Sequence, residues 1–151
     1  MSRTQKIFIV LIVLVIAIQF IRPERNIENN PSRYDIFHKA VQPIEISAMV
    51  QSACYDCHSN RTAYPWYASV APVSWIIANH VKEGKEHLNF SDWKLLDKAQ
   101  QQHALEEIVE VLEKQEMPLK PYQWLHSEAK MTPEKSTQII DWANEMKLSL
   151  N

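Results

Sequence analysis

Glycine is almost missing from this chain: Gly84 is the only one in 151 residues, where an average globular chain carries about 7%. Tight hairpins need residues that tolerate positive φ, and phosphate-binding loops need close backbone approach, so both depend on glycine. Its scarcity excludes hairpin-rich β folds, dinucleotide-binding fingerprints and P-loops. The fold class expected is all-α. Clustered positive charge is also lacking, since 16 Lys and Arg are interleaved with 18 Asp and Glu for a formal net charge of −2. Without a basic stripe there is no electrostatic footprint for nucleic acid. Cysteine occurs only twice, both times in one short stretch, which rules out a disulfide-rich scaffold.

A long apolar run is present, at the amino end: "MSRTQKIFIVLIVLVIAIQFIRPERN" places Arg3 and Lys6 ahead of Ile7 to Ile21, interrupted only by Gln19. Such a run, behind a basic start, reads as a membrane helix or an export signal. The small residues of a cleavage site are missing before Pro23, which favours an uncleaved anchor over residues 1–22. The alternative is a signal that is removed to leave a soluble periplasmic protein. Both expectations export the remainder, with the domain facing the periplasm of a bacterial inner membrane. Residues 23–42 are polar, carry two prolines and lack a sustained period, and are read as a linker. The domain proper is then expected over 43–151, a length suited to one core.

Helical periodicity dominates that domain. Ile46, Met49, Val50 and Ala53 share a face that Cys54 and Cys57 extend. A second helix is expected from Pro72, burying Val73, Ile76, Ile77 and His80. A third places Leu105, Ile108, Val109 and Leu112 inward and stops before Pro118. The last starts from Thr132 as N-cap with Pro133 next, burying Ile139, Trp142, Ala143 and Met146. A short helix capped by Ser91 or Asp92 should carry Trp93 and Leu96. Tyr55, Tyr64, Trp66, Tyr67 and Trp75 cluster in sequence around the cysteines; each alone suits an aromatic core, and together they suit a large flat guest.

The cysteines lie in "CYDCH", residues 54–58. A thioredoxin-like dithiol requires a strand ahead of its C-x-x-C, and no strand pattern is present. Zinc requires four ligands, commonly from two knuckles, and no second knuckle exists. A zinc- or disulfide-stabilised interaction domain is the weakest reading. Haem accounts for each position: thiols three residues apart on one helical turn reach the two vinyl groups of a porphyrin edge, and His58 follows as the proximal iron ligand. Tyr55 and Asp56 are expected to be free spacers. The second ring nitrogen of His58 should donate to a carbonyl, expected in the loop "TAYPWYASVAP". Export makes covalent attachment useful, because haem lost outside the cytoplasm is not recaptured.

The sixth iron position has several candidates. Met117, in "EKQEMPLKPYQWLH", sits on proline-stiffened backbone beyond the third helix, and a thioether there raises the potential of an electron carrier. Methionine more commonly fills core gaps, so the reading needs structural support. His80 is the reserve, as distal ligand or propionate partner. His87 and His103 are expected in solvent, with His126 and Met131 as later candidates. An open sixth position would instead suit a haem peroxidase or a gas-sensing module.

The stretches "CYDCHSNRTAYPWYASVAPVSW", "HVKEGKEHLNFSDW", "EMPLKPYQWLHSEAKMT" and "IIDWA" together resemble the bacterial haem-binding domain family, small monohaem proteins of c-type cytochrome character. The similarity spans about residues 40–146. It implies one covalently attached haem c on Cys54 and Cys57, His58 on the iron, and Met117 as distal ligand, with an envelope location. The function expected is one-electron transfer to an unidentified redox partner, not catalysis.

Overall fold

The computed structural model describes residues 1–39 and 43–150. The last three residues of the expected linker, 40–42, lie outside the described residues. Among the described residues six α-helices follow one another: α1 (Arg3–Ile18), α2 (Ile44–His58), α3 (Val73–His87), α4 (Lys98–Glu113), α5 (Lys120–Leu125) and α6 (Pro133–Ser149). Three 3-10 turns, Trp66–Ser69, Phe90–Leu95 and Ser127–Ala129, join them. Among the described residues there is no strand, only an isolated bridge between Ile27 and Arg61. The all-α expectation holds, as scarce glycine required.

The core forms where α4 and α6 pack together and α2 packs against α6. Leu105 (0% exposed), Leu112, Ile139, Trp142 and Ala143 meet Ile46, Val50 and Tyr55 of α2. All but Tyr55 are apolar positions that helical period placed inward. The helix ends follow their capping residues. Thr132 accepts the Lys135 N–H at 3.3 Å, with Pro133 in the first turn of α6. Asp97 and Gln100 form a reciprocal capping box on α4. The turn around Trp93 is capped by Asn89, not by Ser91 or Asp92.

α3 is turned away from its expected face. Its buried residues are Ser74 and Val81, whereas Val73, Ile76 (53% exposed) and His80 face solvent. The cause is Gly84, on the same stripe as Val81, Ile77 and Ser74. A β-carbon at Gly84 would lie 2.7 Å from the Cys57 carbonyl oxygen and 3.1 Å from the Cys57 Cβ. The helices therefore touch backbone to backbone, and that contact, not the apolar count, sets the rotation of α3.

The amino-terminal helix closes at Ile18 after 16 residues, about 24 Å at the usual rise, shorter than a bilayer core of about 30 Å. Among the described residues no helix is long and apolar enough to cross a membrane, so the anchor helix expected over 1–22 is not found at that length. Gln19 ends it. The Gln19 amide donates to the Ala71 carbonyl at 3.1 Å and accepts the Ala71 N–H at 2.9 Å, and the Trp75 indole donates to the Ile21 carbonyl at 2.8 Å.

The polar segment after α1 does not hang free as a tether. Asn26 spans the Ser59 carbonyl and the Thr62 hydroxyl at 2.7 and 2.9 Å, Ile36 is buried, and Phe37 stacks on Trp142 at 5.6 Å. Asn26, Ile36 and Phe37 tie the segment down while Glu24, Glu28, Asn29, Asn30 and Arg33 stay exposed, a mixture that a periodicity reading cannot register.

Gly84→Ala should destabilise the domain by about 1–3 kcal/mol through overpacking, although alanine is the better helix former by about 1 kcal/mol. Chemical denaturation distinguishes these signs, and a stabilised variant would refute the close crossing.

Candidate functional site

The two thiols and the imidazole stand on the last turn of α2, which ends because Ser59 turns extended. Ser59 is fully buried; its hydroxyl donates to the Tyr55 carbonyl at 2.8 Å and accepts the Arg61 N–H at 3.0 Å. The chain leaving α2 is held further by Glu28 N–H to the Asn60 carbonyl at 2.9 Å and Asn60 N–H to the Ser91 hydroxyl at 3.0 Å. The chain leaving the motif is thus clamped between residues 26–28 and 89–91.

His58 is half-buried, and its Nδ1 lies 3.1 Å from the Leu88 carbonyl oxygen. A carbonyl only accepts, so Nδ1 carries the proton and Nε2 keeps its lone pair. The acceptor comes from the residue after α3, not from the 62–72 loop expected. It arrives there because Gly84 lets α3 lie against Cys57, one turn before Leu88. Phe90 packs its ring against that of His58, 6.4 Å between centroids at 68°. Burial holds the imidazole below its ordinary pKa, partly opposed by the backbone carbonyls of Leu88 and Gly84. The ring is therefore oriented and neutral.

Cys54 and Cys57 are free thiols, both half-buried. Burial, helped by Cys57, pushes the Cys54 thiol up to about 12, and burial with Asp56 pushes Cys57 up to about 11. A redox dithiol needs a depressed thiol pKa to supply its thiolate nucleophile, so this site is poorly suited to that chemistry. Zinc fares no better: among the described residues no group of three His, Cys, Asp or Glu side chains converges to hold a metal ion.

The two spacers are not free. Tyr55 is buried, stacks on Phe90 at 5.3 Å, and donates its hydroxyl to the Asp35 carboxylate at 3.0 and 3.1 Å. Burial, reinforced by Asp35, raises the phenol and keeps it a donor. Asp35, only 7% exposed, also accepts the Phe37 N–H at 2.8 Å. Asp56 points the opposite way. Its carboxylate accepts the Tyr122 hydroxyl at 2.8 Å and the Ala63 N–H at 2.9 Å. Sequence reasoning missed both because successive residues of a helix point to different neighbours, and the neighbours here come from distant segments.

Among the candidates for a second axial ligand, Met117 presents its side chain to solvent (38% exposed), beyond the end of α4. Met131 packs against the core instead. His126 has both ring nitrogens engaged: Nδ1 donates to the Tyr122 carbonyl at 3.0 Å, leaving Nε2 to accept the Tyr67 hydroxyl at 3.2 Å. His80 and His87 are exposed on α3, and exposed His103 lies 3.5 Å from Glu107. The aromatic residues do not gather into one wall. Tyr55 is in the core, Trp75 is tied to Ile21, Tyr64 lies under Arg25 at 5.1 Å, and Trp66 is 81% exposed.

An oriented neutral imidazole ends a helix whose preceding turn carries two uncharged thiols, a donor set that fits haem and fits neither zinc nor a reactive dithiol. The model of the haem-binding domain family matches residues 13–145. The chain belongs to the haem-binding domain family. No curated protein and no solved structure is significantly similar to it. For this haem-binding domain the family match covers the amino-terminal extended segment as well as the helices, in keeping with the packing of residues 26–37 against them.

Tyr55→Phe would leave the buried Asp35 carboxylate without its phenolic donor. The expected loss is about 1–3 kcal/mol of stability, measured by denaturant titration. A neutral outcome would show that water replaces the phenol.

Proposed function

We propose that this haem-binding domain is a monohaem c-type electron carrier, with haem bonded through Cys54 and Cys57 and held at iron by His58 and Met117. The observation that carries the reading is His58: Nδ1 is committed to the Leu88 carbonyl at 3.1 Å, which leaves the Nε2 lone pair for a metal. Bound at this site, haem would supply a one-electron couple. Cys54 and Cys57 would hold it covalently, so that affinity would not depend on contact area alone. His58 would hold the iron through Nε2, with Phe90 packed beside the imidazole to limit its rotation. Met117 offers a thioether, which favours reduced iron. Its exposure supports this role over that of core filler.

Location belongs to the same proposal. The apolar residues of α1, from Ile7 to Ile16, are exposed on every side, as suits a helix seated in lipid, with the domain outside the cytoplasm. Carbonate extraction of membranes should leave the protein in the pellet, and recovery in the supernatant would remove the anchor.

A denaturing gel of protein matured in cells competent for c-type assembly should stain for haem at the protein's mass. A colourless band would remove covalent attachment. Cys57→Ser should lower holoprotein yield and leave a single thioether link. Met117→Ala should abolish the thioether–iron absorption band and admit carbon monoxide rapidly. Rapid carbon monoxide binding by the unaltered protein would instead favour the open-site reading of a peroxidase or gas sensor.

A further inference from the structure

We propose that Asp56, the second spacer of the cysteine motif, is a positioning residue that locks the Met117 segment to the haem-attachment turn through the hydroxyl of Tyr122. This rests on the reading of Met117 as distal ligand and adds the device that keeps it in place. A ligand 59 residues beyond the motif, on irregular backbone and with an exposed side chain, needs a tie to the metal-bearing turn. Asp56 supplies that tie. The Asp56 carboxylate takes the Tyr122 O–H at 2.8 Å with one oxygen and the Ala63 N–H at 2.9 Å with the other. The Asp56 carbonyl accepts the Thr62 hydroxyl at 2.7 Å. The carboxylate is thereby aimed by its own turn before Tyr122 reaches it.

Tyr122 in turn is fixed on both sides. Its ring stacks on His126 with 4.1 Å between centroids, and His126 is held by Tyr67 from the turn Trp66–Ser69. The next residue, Gln123, returns the restraint to the ligand. Its amide donates to the Pro118 carbonyl at 2.6 Å and accepts the Met131 N–H at 3.0 Å. Pro118 is buried and follows Met117 directly. The path from motif to thioether is thus Asp56, Tyr122, Gln123, Pro118, Met117, with a hydrogen bond or a peptide link at each step. A purely structural role for Asp56 is already served by Ala63 and Thr62. The Tyr122 bond is the one that reaches across 66 residues.

Tyr122→Phe removes that bond alone, keeping the ring and the charge of Asp56. In ferric holoprotein it should cut the thioether–iron absorption band at least twofold and lower the reduction potential. Amide hydrogen exchange over residues 116–126 should quicken at least tenfold. Asp56→Asn should weaken the band too, and the double variant should match the stronger single one, because both changes remove the same bond. A Tyr122→Phe protein with band, potential and exchange all as in the wild type overturns the proposal. So does a lowered melting temperature with an unchanged band, which would mark Tyr122 as structural only. Met117→Ala separates the two claims. If that variant keeps the band, the ligand assignment has failed, and the positioning role toward iron fails with it. If the band depends on Met117 but not on Tyr122, only the positioning role has failed.

Discussion

The backbone of α2 and the backbone of α3 touch where Cys57 meets Gly84, and most of the site follows from that contact. A β-carbon at residue 84 would fall 2.7 Å from a carbonyl oxygen, an atom with no rotamer by which to move aside. Close approach brings the end of α3 beside the end of α2. The Leu88 N–H closes the last turn on the Gly84 carbonyl at 2.9 Å, and the Leu88 carbonyl is left facing His58. The crossing therefore orients the His58 ring, which has the carbonyls of both Leu88 and Gly84 beside it.

Around this crossing the protein uses side-chain amides and hydroxyls where other folds would use a sheet. Asn26, Ser59, Thr62, Asn89 and Ser91 bond the end of α2 and the extended chain beyond it, to each other and to backbone. Buried polar groups in such a knot must all be paired, and among the described residues no buried side-chain nitrogen or oxygen lacks a partner. The result is a rigid exit for the chain after His58, so the imidazole is anchored by its own backbone as well as by its hydrogen bond. The two spacers extend the logic in opposite directions, Tyr55 toward the core and Asp56 toward α5.

Much of the fold was legible because it obeys local rules. The inward faces of α2, α4 and α6 follow helical period, and Thr132 with Pro133 marks a helix start whatever surrounds it. The faces that failed to follow period lie near the crossing. Val73, Ile76 and His80 have the spacing of a buried stripe, yet α3 is rotated by a contact with a helix 27 residues earlier. Residues 23–39 look like a tether since their polarity is indistinguishable, one residue at a time, from that of solvated chain.

The sequence by itself determined an all-helical chain, a turn bearing two thiols and an imidazole, and a methionine placed after a helix stop. Those depend on composition and on neighbours within a few residues. Only the tertiary structure decided which carbonyl holds His58, that Tyr55 and Asp56 are bound to distant partners, and why the lone glycine stands at 84. Each is a meeting of segments far apart in the chain, and such meetings are set by how helices pack, which no local pattern encodes.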